Sequence, residues 1–257
     1  MTRAEIVALL VQEGERLLKA PKSLIVFTGD EDSDRLLNDL DGHPHAFVLA
    51  CVMDRQIKAK RAWMIPYLFS QKLGGFGFAT LQELSLARVT ELMTEPEPLH
   101  RFPTRMSENF YLAVQRIAHD YRGNASQIWA NQPSSAEVVY RFLQFHGVGR
   151  KIATMAANIL AREFKVPFAD YYSIDVSVDV QVRRVFTRLG LARAEDDVEE
   201  ITYLARAFHP VFPGLLDFPA WEIGVKWCRP QNPTCNQCMM RKVCPPATDG
   251  SAARAGP

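Results

Sequence analysis

Four of the five cysteines in this chain lie in one short stretch near its C-terminal end: Cys228, Cys235, Cys238 and Cys244. The intervals between them contain six, two and five residues. Four thiols this close in sequence can form disulfides, bind a zinc ion or hold an iron–sulfur cluster. The spacing alone leaves zinc and a cluster both open, because each of them accepts four thiolates.

The size and composition of the chain argue against disulfides. It has 257 residues, 47% of them hydrophobic and 23% charged, which is enough to bury a core without cross-links. Residues 1–18 mix acidic with apolar side chains and lack a small-residue cleavage site, which predicts an amphipathic helix rather than a signal peptide. No apolar run is long enough to cross a bilayer. We therefore expect a cytoplasmic protein, in which clustered cysteines are typically metal ligands.

Charge is unevenly distributed, although the net charge is only +1. Residues 1–50 carry a charge of −4, from five basic and nine acidic side chains. Residues 140–190 carry +4, from eight basic and four acidic side chains. The cysteine window, residues 226–242, contains four basic side chains and no acidic one. Basic regions within a neutral chain are compatible with a polyanionic partner such as nucleic acid.

Short segments with helical periodicity alternate with glycine- and proline-containing breakers, and strand-like alternation is rare. This pattern predicts an all-α globular protein rather than a coiled coil. Residues 247–257 are small and polar, which predicts a disordered tail. The predicted helices span 3–18, 45–54, 58–71, 81–93, 108–121, 135–145, 150–162, 179–189, 196–208 and 214–227.

Two of these predicted helices meet at the sequence Gly147-Val-Gly149. A turn this short predicts a tight helical hairpin, whose second helix begins with backbone amides that can bind a phosphate without any side chain. The basic pair Arg150-Lys151 opens that helix, where cations oppose the helix dipole and are unfavourable unless they serve another purpose. Like charge and desolvation at this position are expected to lower the pKa of Lys151, which would make its amine nucleophilic.

Three motifs in this order resemble those of one protein family. Gly-Val-Gly-Arg-Lys (147–151), followed by an alanine-rich helix, is similar to the helix-hairpin-helix of endonuclease III-like DNA glycosylases. Val-Asp-Val-Gln-Val-Arg-Arg-Val (178–185) is similar to the segment that carries the essential aspartate of that family, which corresponds to Asp179. The cysteine spacing is that of the family's [4Fe–4S] cluster motif. The three motifs lie in the second half of the chain, and the first half resembles the family only loosely.

The resemblance implies a two-domain fold. A six-helix barrel would span residues 43–165 and contain the helix-hairpin-helix, and an iron–sulfur cluster domain would combine residues 1–42 with residues 166–246. Duplex DNA containing a damaged base or an abasic site would bind in the cleft between the domains, with Lys151 and Asp179 facing each other across it. The protein would be a nucleoid-associated monomer.

The resemblance also implies an activity, a DNA glycosylase with abasic-site (AP) lyase activity in base-excision repair. Lys151 would form a Schiff base with the sugar, Asp179 would stabilise positive charge on the sugar, and the substrates would be oxidised pyrimidines. A [4Fe–4S] cluster on Cys228, Cys235, Cys238 and Cys244 would be structural. The expected DNA contacts are Gly147, Gly149, Arg150, Gln56 and Arg229, with Gln56 filling the gap left by the flipped nucleotide.

Several choices remain open at the level of the sequence. Asp175 is a rival to Asp179, and Met106 is the candidate for a wedge residue on a loop. The segment 162–175 is longer than in the family and contains four aromatic rings, most of which we expect to be core, with one or two stacking on the extruded base: Phe164, Phe168, Tyr171 and Tyr172. The alternatives in function are a monofunctional glycosylase for mismatched or alkylated bases and a non-catalytic DNA-binding module with a structural metal.

Overall fold

The computed structural model describes residues 2–245, so the predicted tail at 247–257 lies outside the described residues. Within that range every regular element is helical, which confirms the all-α prediction, and no helix there is long and apolar enough to cross a membrane. Three short 3-10 helices also occur, at Ala125–Ile128, Pro213–Leu216 and Cys235–Gln237. The α-helices are α1 (Arg3–Lys19), α2 (Glu31–Asn38), α3 (Pro44–Met53), α4 (Ala59–Leu73), α5 (Phe78–Gln82), α6 (Leu86–Thr94), α7 (Pro103–Asp120), α8 (Ser135–Leu143), α9 (Arg150–Arg162), α10 (Val180–Arg188), α11 (Val198–Phe208) and α12 (Asp217–Lys226).

The chain forms two compact units. One, which we call the hairpin unit, contains residues 22–133 and 137–167. The other, the cysteine unit, contains the described residues 2–21, 134–136 and 168–245. Residues 22–42 therefore belong to the unit that also contains the Gly147-Val-Gly149 turn.

Helix α3 is the centre of the hairpin unit. All ten of its residues are buried, as expected for a helix that is surrounded by other helices, and it packs against α4, α7 and α9. The ring of Phe47 makes edge contacts with Trp129, Phe142 and Phe164, at centroid distances of 6.2, 6.5 and 5.3 Å. This aromatic core packs around α3 and α9, and α9 is the helix that follows the hairpin turn.

The cysteine unit has its own core, formed by α1, α10, α11 and α12. Three of the four clustered cysteines, at positions 228, 238 and 244, pack against its edge. Its α10 begins at Val180, directly after the N-cap residue Asp179, and packs against α12. The unit thus places the cysteine window beside the helix that Asp179 opens.

The predicted helix 81–93 is observed as two helices, α5 and α6, and helices α2 and α7 differ from the prediction for clear physical reasons. Helix α2 was not predicted because its sequence, EDSDRLLN, is mostly polar, yet Asp30 caps it and the buried carboxylate of Asp34 accepts hydrogen bonds from the amides of Thr28 and Gly29 at 2.8 and 3.0 Å. Helix α7 begins at Pro103 rather than at 108, because proline at the first helical position starts a helix instead of breaking it.

Candidate functional site

The predicted hairpin turn joins α8 to α9 through residues 144–149, and its two glycines serve different purposes. Gly147 has a φ of +82°, and a Cβ at this position would lie 2.5 Å from Nδ2 of Asn109 and 2.7 Å from Nη1 of Arg55. Gly149 caps α9 with a φ of −103°, and a Cβ there would meet nothing within 4 Å. Gly147 is therefore required by the packing of the turn, whereas Gly149 leaves open space on the outer side of the helix end.

The start of α9 has the chemistry of an anion site. The helix is 13 residues long, and its first α-helical hydrogen bond runs from the amide of Ala153 to the carbonyl of Gly149 at 3.0 Å. The amides of Lys151 and Ile152 precede that bond, at the positive end of the helix dipole. Gly149, Arg150 and Lys151 are all exposed. An anionic group such as a phosphate can approach this end from solvent.

Lys151 lies at the second position of α9 with its side chain exposed. The desolvation that we expected around this amine is not a feature of the free protein, because the residue is exposed there.

Asp179 is the N-cap of α10. Its Oδ1 accepts hydrogen bonds from the amides of Gln181 and Val182 at 2.8 and 2.9 Å. Within the described chain Oδ2 accepts none, and the residue is half-buried. The cap therefore fixes the orientation of the carboxylate and leaves one oxygen available.

Asp175, the rival in sequence, is held in a different way. Asp175 is 3% exposed, and Nε and Nη2 of Arg206 on α11 donate to its Oδ1 and Oδ2 at 2.7 and 2.9 Å. The hydrogen bond to Asp175 raises the pKa of Arg206. A buried carboxylate in a bidentate ion pair with arginine has a structural role in the cysteine unit. This geometry favours Asp179 over Asp175 as the carboxylate that is available for chemistry.

The four clustered cysteines line one small cavity of about 20 Å³ between α10, the end of α12 and the C-terminal loop. All four are free thiols, and burial raises the pKa of Cys238 to about 11. In the part of the chain that is described, no group of three or more His, Cys, Asp or Glu side chains is arranged as a metal site. Four thiols on one cavity nevertheless match the donor set of a four-thiolate centre.

Two arginines of α10 hold the loop that follows the first of these cysteines. Nε of Arg184 donates to the carbonyl of Cys228 at 2.6 Å. Arg188 donates to Sγ of Cys228 at 3.5 Å and to the carbonyl of Arg229 at 2.7 Å. The side chain of Arg229 is exposed. The loop is thus tied to α10 through its backbone, and its own basic side chain stays free to meet solvent.

Gln56 lies in the short loop between α3 and α4. It is exposed and has a φ of +54°, a left-handed conformation that is unusual for a residue other than glycine. Its neighbour Arg55 donates from Nη1 to the carbonyl of Gly147 at 2.7 Å. The structure therefore brings the loop that carries Gln56 to the hairpin turn, although 92 residues separate Arg55 from Gly147.

The expectation that Met106 lies on a loop was wrong. Met106 is 2% exposed within the first turns of α7, and its sulfur accepts a hydrogen bond from Nδ2 of the fully buried Asn109. The cause is the early start of α7 at Pro103. The exposed apolar side chain of this region is Phe102, which is 40% exposed just before the helix and lies under the guanidinium of Arg101 at 5.2 Å.

Sequence reasoning missed the polar side chains that support the turn. Oδ1 of Asn109 bonds to Nδ1 of His146 at 2.9 Å, and Arg55 holds Gly147 from the other side. His100 is buried between two loops, and burial lowers its pKa. The only sequence signal for Asn109 was a polar residue at a buried helical position, and Arg55 and His100 lie in loops, where no periodic pattern marks them.

The aromatic rings of segment 162–175 are mostly core, as expected. Phe164 and Phe168 are 4% and 6% exposed, and Tyr171 stacks on Phe212 at 4.8 Å. Tyr172 is the exposed ring of the four, at 54%. It alone among them is available to a ligand.

A cavity of about 780 Å³ also lies in the cysteine unit, at the N-terminal end of α11. Its lining includes four carboxylates, on Asp196, Asp197, Glu199 and Glu200, and none of the predicted catalytic or cysteine residues. Clustered negative charge disfavours a polyanion, and this cavity does not belong to the candidate site.

Comparison with known proteins agrees with the motifs. None of the known protein-family profiles matches the chain. Endonuclease III of Thermotoga maritima is 28% identical over 167 residues, which cover 65% of this chain and 68% of that protein. Human adenine DNA glycosylase is 27% identical over 213 residues, 80% of this chain but only 34% of that protein. The chain thus spans about a third of the human protein.

Solved structures share the fold. An endonuclease III in a non-covalent DNA complex aligns with a TM-score of 0.63 and 17% identity, over 98% of this chain and 99% of that one. A thermostable thymine-DNA glycosylase aligns with a TM-score of 0.59 and 14% identity, over 96% and 97% of the two chains. In sequence the chain is therefore similar to endonuclease III, and it shares the fold of helix-hairpin-helix DNA glycosylases.

Proposed function

We propose that this protein is a bifunctional glycosylase and AP lyase that removes damaged bases from duplex DNA. The observation that carries the proposal is the position of Lys151, an exposed amine at the helix end where the amides of α9 can bind a phosphate. A phosphate bound at this end brings the sugar of the nucleic acid close to the amine. The trapped covalent DNA intermediate solved for an endonuclease III, which has the same fold with a TM-score of 0.61, supports covalent chemistry.

In this mechanism the neutral amine of Lys151 attacks C1′ of an extruded nucleotide, and the bond from C1′ to the base breaks. The sugar ring opens as the nitrogen of Lys151 forms a Schiff base with C1′. Removal of a proton from C2′ then expels the 3′ phosphate by β-elimination, which nicks the strand. Bound DNA supplies the desolvation that the exposed lysine lacks in the free protein.

Asp179 has two tasks in this scheme. Its available Oδ2 stabilises the positive charge that develops on the sugar as the base leaves, and it accepts a proton from the attacking amine. The hydrogen bonds to Oδ1 keep the carboxylate in one orientation throughout.

The remaining assignments concern binding. Gly147, Gly149 and Arg150 position the phosphate backbone at the start of α9. Gln56 fills the gap in the stack, and we assign the wedge to Phe102 in place of Met106 because it is the exposed apolar side chain beside that loop. Arg229 contacts a phosphate from the C-terminal loop.

We further propose that Cys228, Cys235, Cys238 and Cys244 hold a [4Fe–4S] cluster. The cluster supplies structural cross-linking, and no step of base removal passes through it. The chain contributes the arginines of α10 that anchor the loop, so that Arg229 is presented outward.

Oxidised pyrimidines are the proposed substrates. A monofunctional enzyme for mismatched bases is the second candidate, favoured by the match of human adenine DNA glycosylase to 80% of this chain. Lys151 distinguishes the two candidates in the proposal, because a monofunctional enzyme removes the base without a nucleophilic amine.

Duplexes that each contain one lesion, an oxidised pyrimidine, a mismatch, an alkylated base or an abasic site, test the proposal through separate measurements of base release and strand nicking. We expect release of an oxidised pyrimidine together with a nick. Release without a nick would support the monofunctional enzyme. Salt-sensitive binding with neither product would leave only a DNA-binding module.

A further inference from the structure

Three loops of the hairpin unit converge on Arg55. Its side chain donates to the carbonyl of Gly147 in the hairpin turn at 2.7 Å. Its backbone carbonyl accepts a hydrogen bond from Nε2 of His100 at 3.1 Å, in the loop between α6 and α7. A single residue thus bonds to two loops that lie 92 and 45 residues away in sequence.

His100 extends this connection to the exposed Phe102. Its Nδ1 accepts a hydrogen bond from the amide of Phe102 at 3.0 Å, while Nε2 donates to Arg55. The ring is 2% exposed, so both bonds are shielded from water. One imidazole therefore fixes the backbone on both sides, at Arg55 and at Phe102.

The same connection supports the unusual backbone of Gln56. A left-handed conformation in a residue other than glycine persists only where its surroundings hold it. The residue directly before Gln56 is anchored by its side chain and by its carbonyl. Gln56 itself is exposed and is thereby presented outward from a fixed base.

A second set of contacts supports the hairpin turn from within. Asn109 is fully buried on α7 and bonds through Oδ1 to His146 at 2.9 Å. Its Nδ2 and the guanidinium of Arg55 occupy the space that a Cβ on Gly147 would need. The turn is thus packed against the two side chains that also fix its neighbours.

From this geometry we propose that Arg55 and His100 are positioning residues that clasp Gln56, Phe102 and the hairpin turn into one rigid DNA-contacting platform. The inference rests on the proposed function and extends it. Arg55 contacts no reacting atom. It acts through Gln56 and Gly147, so that filling the gap in the duplex and presenting Lys151 occur together.

The test compares the Kd for a duplex with a tetrahydrofuran abasic analogue with the Kd for the same duplex undamaged, by fluorescence anisotropy at one salt concentration. We expect Arg55→Ala to reduce the preference for the damaged duplex by about tenfold, with the affinity for undamaged duplex changed less than about threefold. Arg55→Lys, which keeps a donor for Gly147, should retain most of the preference. His100→Leu breaks the clasp from the other loop and should act like Arg55→Ala.

Arg141→Ala is the control, because the guanidinium of Arg141 also donates to a backbone carbonyl, that of Ile128 at 2.8 Å, which belongs to none of these loops. A role in fold stability alone would give Arg55→Ala and Arg141→Ala the same small change in preference, and that result would overturn the inference.

A double-mutant cycle adds a measurement that a change in fold stability alone would not affect. Because Arg55 acts through Gln56, Arg55→Ala should reduce the preference by less than about threefold in a Gln56→Ala background.

Independent, additive losses in that cycle would also overturn the coupling. A wild-type protein that shows no preference for the damaged duplex would contradict the proposed function and the inference with it. A wild-type protein that shows the preference, with Arg55→Ala unchanged, would contradict the inference alone.

Discussion

The two glycines of the hairpin turn allow the account to be tested with a pair of near-identical substitutions. Gly147→Ala places a methyl group where Nδ2 of Asn109 and Nη1 of Arg55 already lie, 2.5 and 2.7 Å away, at a φ of +82°. Gly149→Ala adds the same group two residues later, at a φ of −103° and with nothing within 4 Å. The two variants therefore separate packing of the turn from access to the helix end.

The expected cost at Gly147 has two parts. A residue with a Cβ in the left-handed region loses about 1–2 kcal/mol relative to glycine. The displaced guanidinium loses its hydrogen bond to the Gly147 carbonyl, and a bond from a charged group contributes about 1.5–3 kcal/mol. We expect the free energy of unfolding to fall by about 2.5–5 kcal/mol in total. At about 2–4 °C per kcal/mol, the Tm should fall by roughly 10 °C.

The expected result at Gly149 is the reverse. Alanine fits the native backbone there, and its poorer N-cap preference opposes the gain from a stiffer unfolded chain, so the free energy of unfolding should change by less than about 1 kcal/mol. The methyl group adds bulk at the helix end where we propose that a phosphate binds, and duplex affinity should fall by about tenfold, or about 1.4 kcal/mol.

Urea unfolding followed by circular dichroism, and anisotropy titration of a labelled duplex, measure the two effects on the same preparations. Gly147→Ala should lower the free energy of unfolding, and Gly149→Ala should weaken duplex binding with little change in the free energy of unfolding. Equal stability of the two variants would refute the packing of the turn described above. Unchanged affinity in Gly149→Ala would refute the phosphate site at the start of α9.

The remaining predictions concern the buried histidine of α3, the two aspartates and the cysteines. Burial lowers the pKa of His45 to about 4, so the unfolded state binds a proton before the folded state does as the pH falls from about 6.5. The free energy of unfolding should therefore drop by about 3 kcal/mol between pH 6.5 and 4. Urea unfolding midpoints across that range measure this, and a flat profile would contradict it. Asp179→Asn should abolish base release at an unchanged Tm, since asparagine also caps helices. Asp175→Asn should lower the free energy of unfolding by about 1–3 kcal/mol, because it disrupts the ion pair with Arg206, and should leave base release per folded molecule unchanged. The opposite pair of results would exchange the roles of the two aspartates. Cys238→Ser should give protein with less bound iron and a lower Tm, by iron analysis and thermal unfolding; unchanged iron content would exclude Cys238 as a ligand.

Much of the fold and of the candidate site could be predicted where one local rule dominates. The helix after Gly149, the cap at Asp179 and the grouping of the four cysteines each follow from short-range sequence, and each is present in the structure. Periodicity also predicted most helices to within a few residues, because their apolar faces are buried in the expected pattern.

What could not be predicted depends on contacts between distant residues. Helix α2 forms because the buried carboxylate of Asp34 accepts hydrogen bonds from the backbone amides of the preceding loop. The acidic sequence of α2 does not reveal these bonds. The clasp of Arg55 on Gly147 spans 92 residues, and no local pattern distinguishes that arginine from a surface one. Asp175 and Asp179 look alike in sequence, and only the pair with Arg206 shows that the first is a structural residue.

The central claim is that Lys151 forms the covalent bond to DNA, and borohydride trapping followed by peptide mass mapping tests it most directly. The wild-type protein is incubated with an abasic-site duplex, reduced, digested and sequenced by mass spectrometry. We expect a sugar adduct on Lys151, abolished in Lys151→Ala while duplex affinity is largely retained. An adduct on another amine, or one that persists at equal yield in Lys151→Ala, would contradict it.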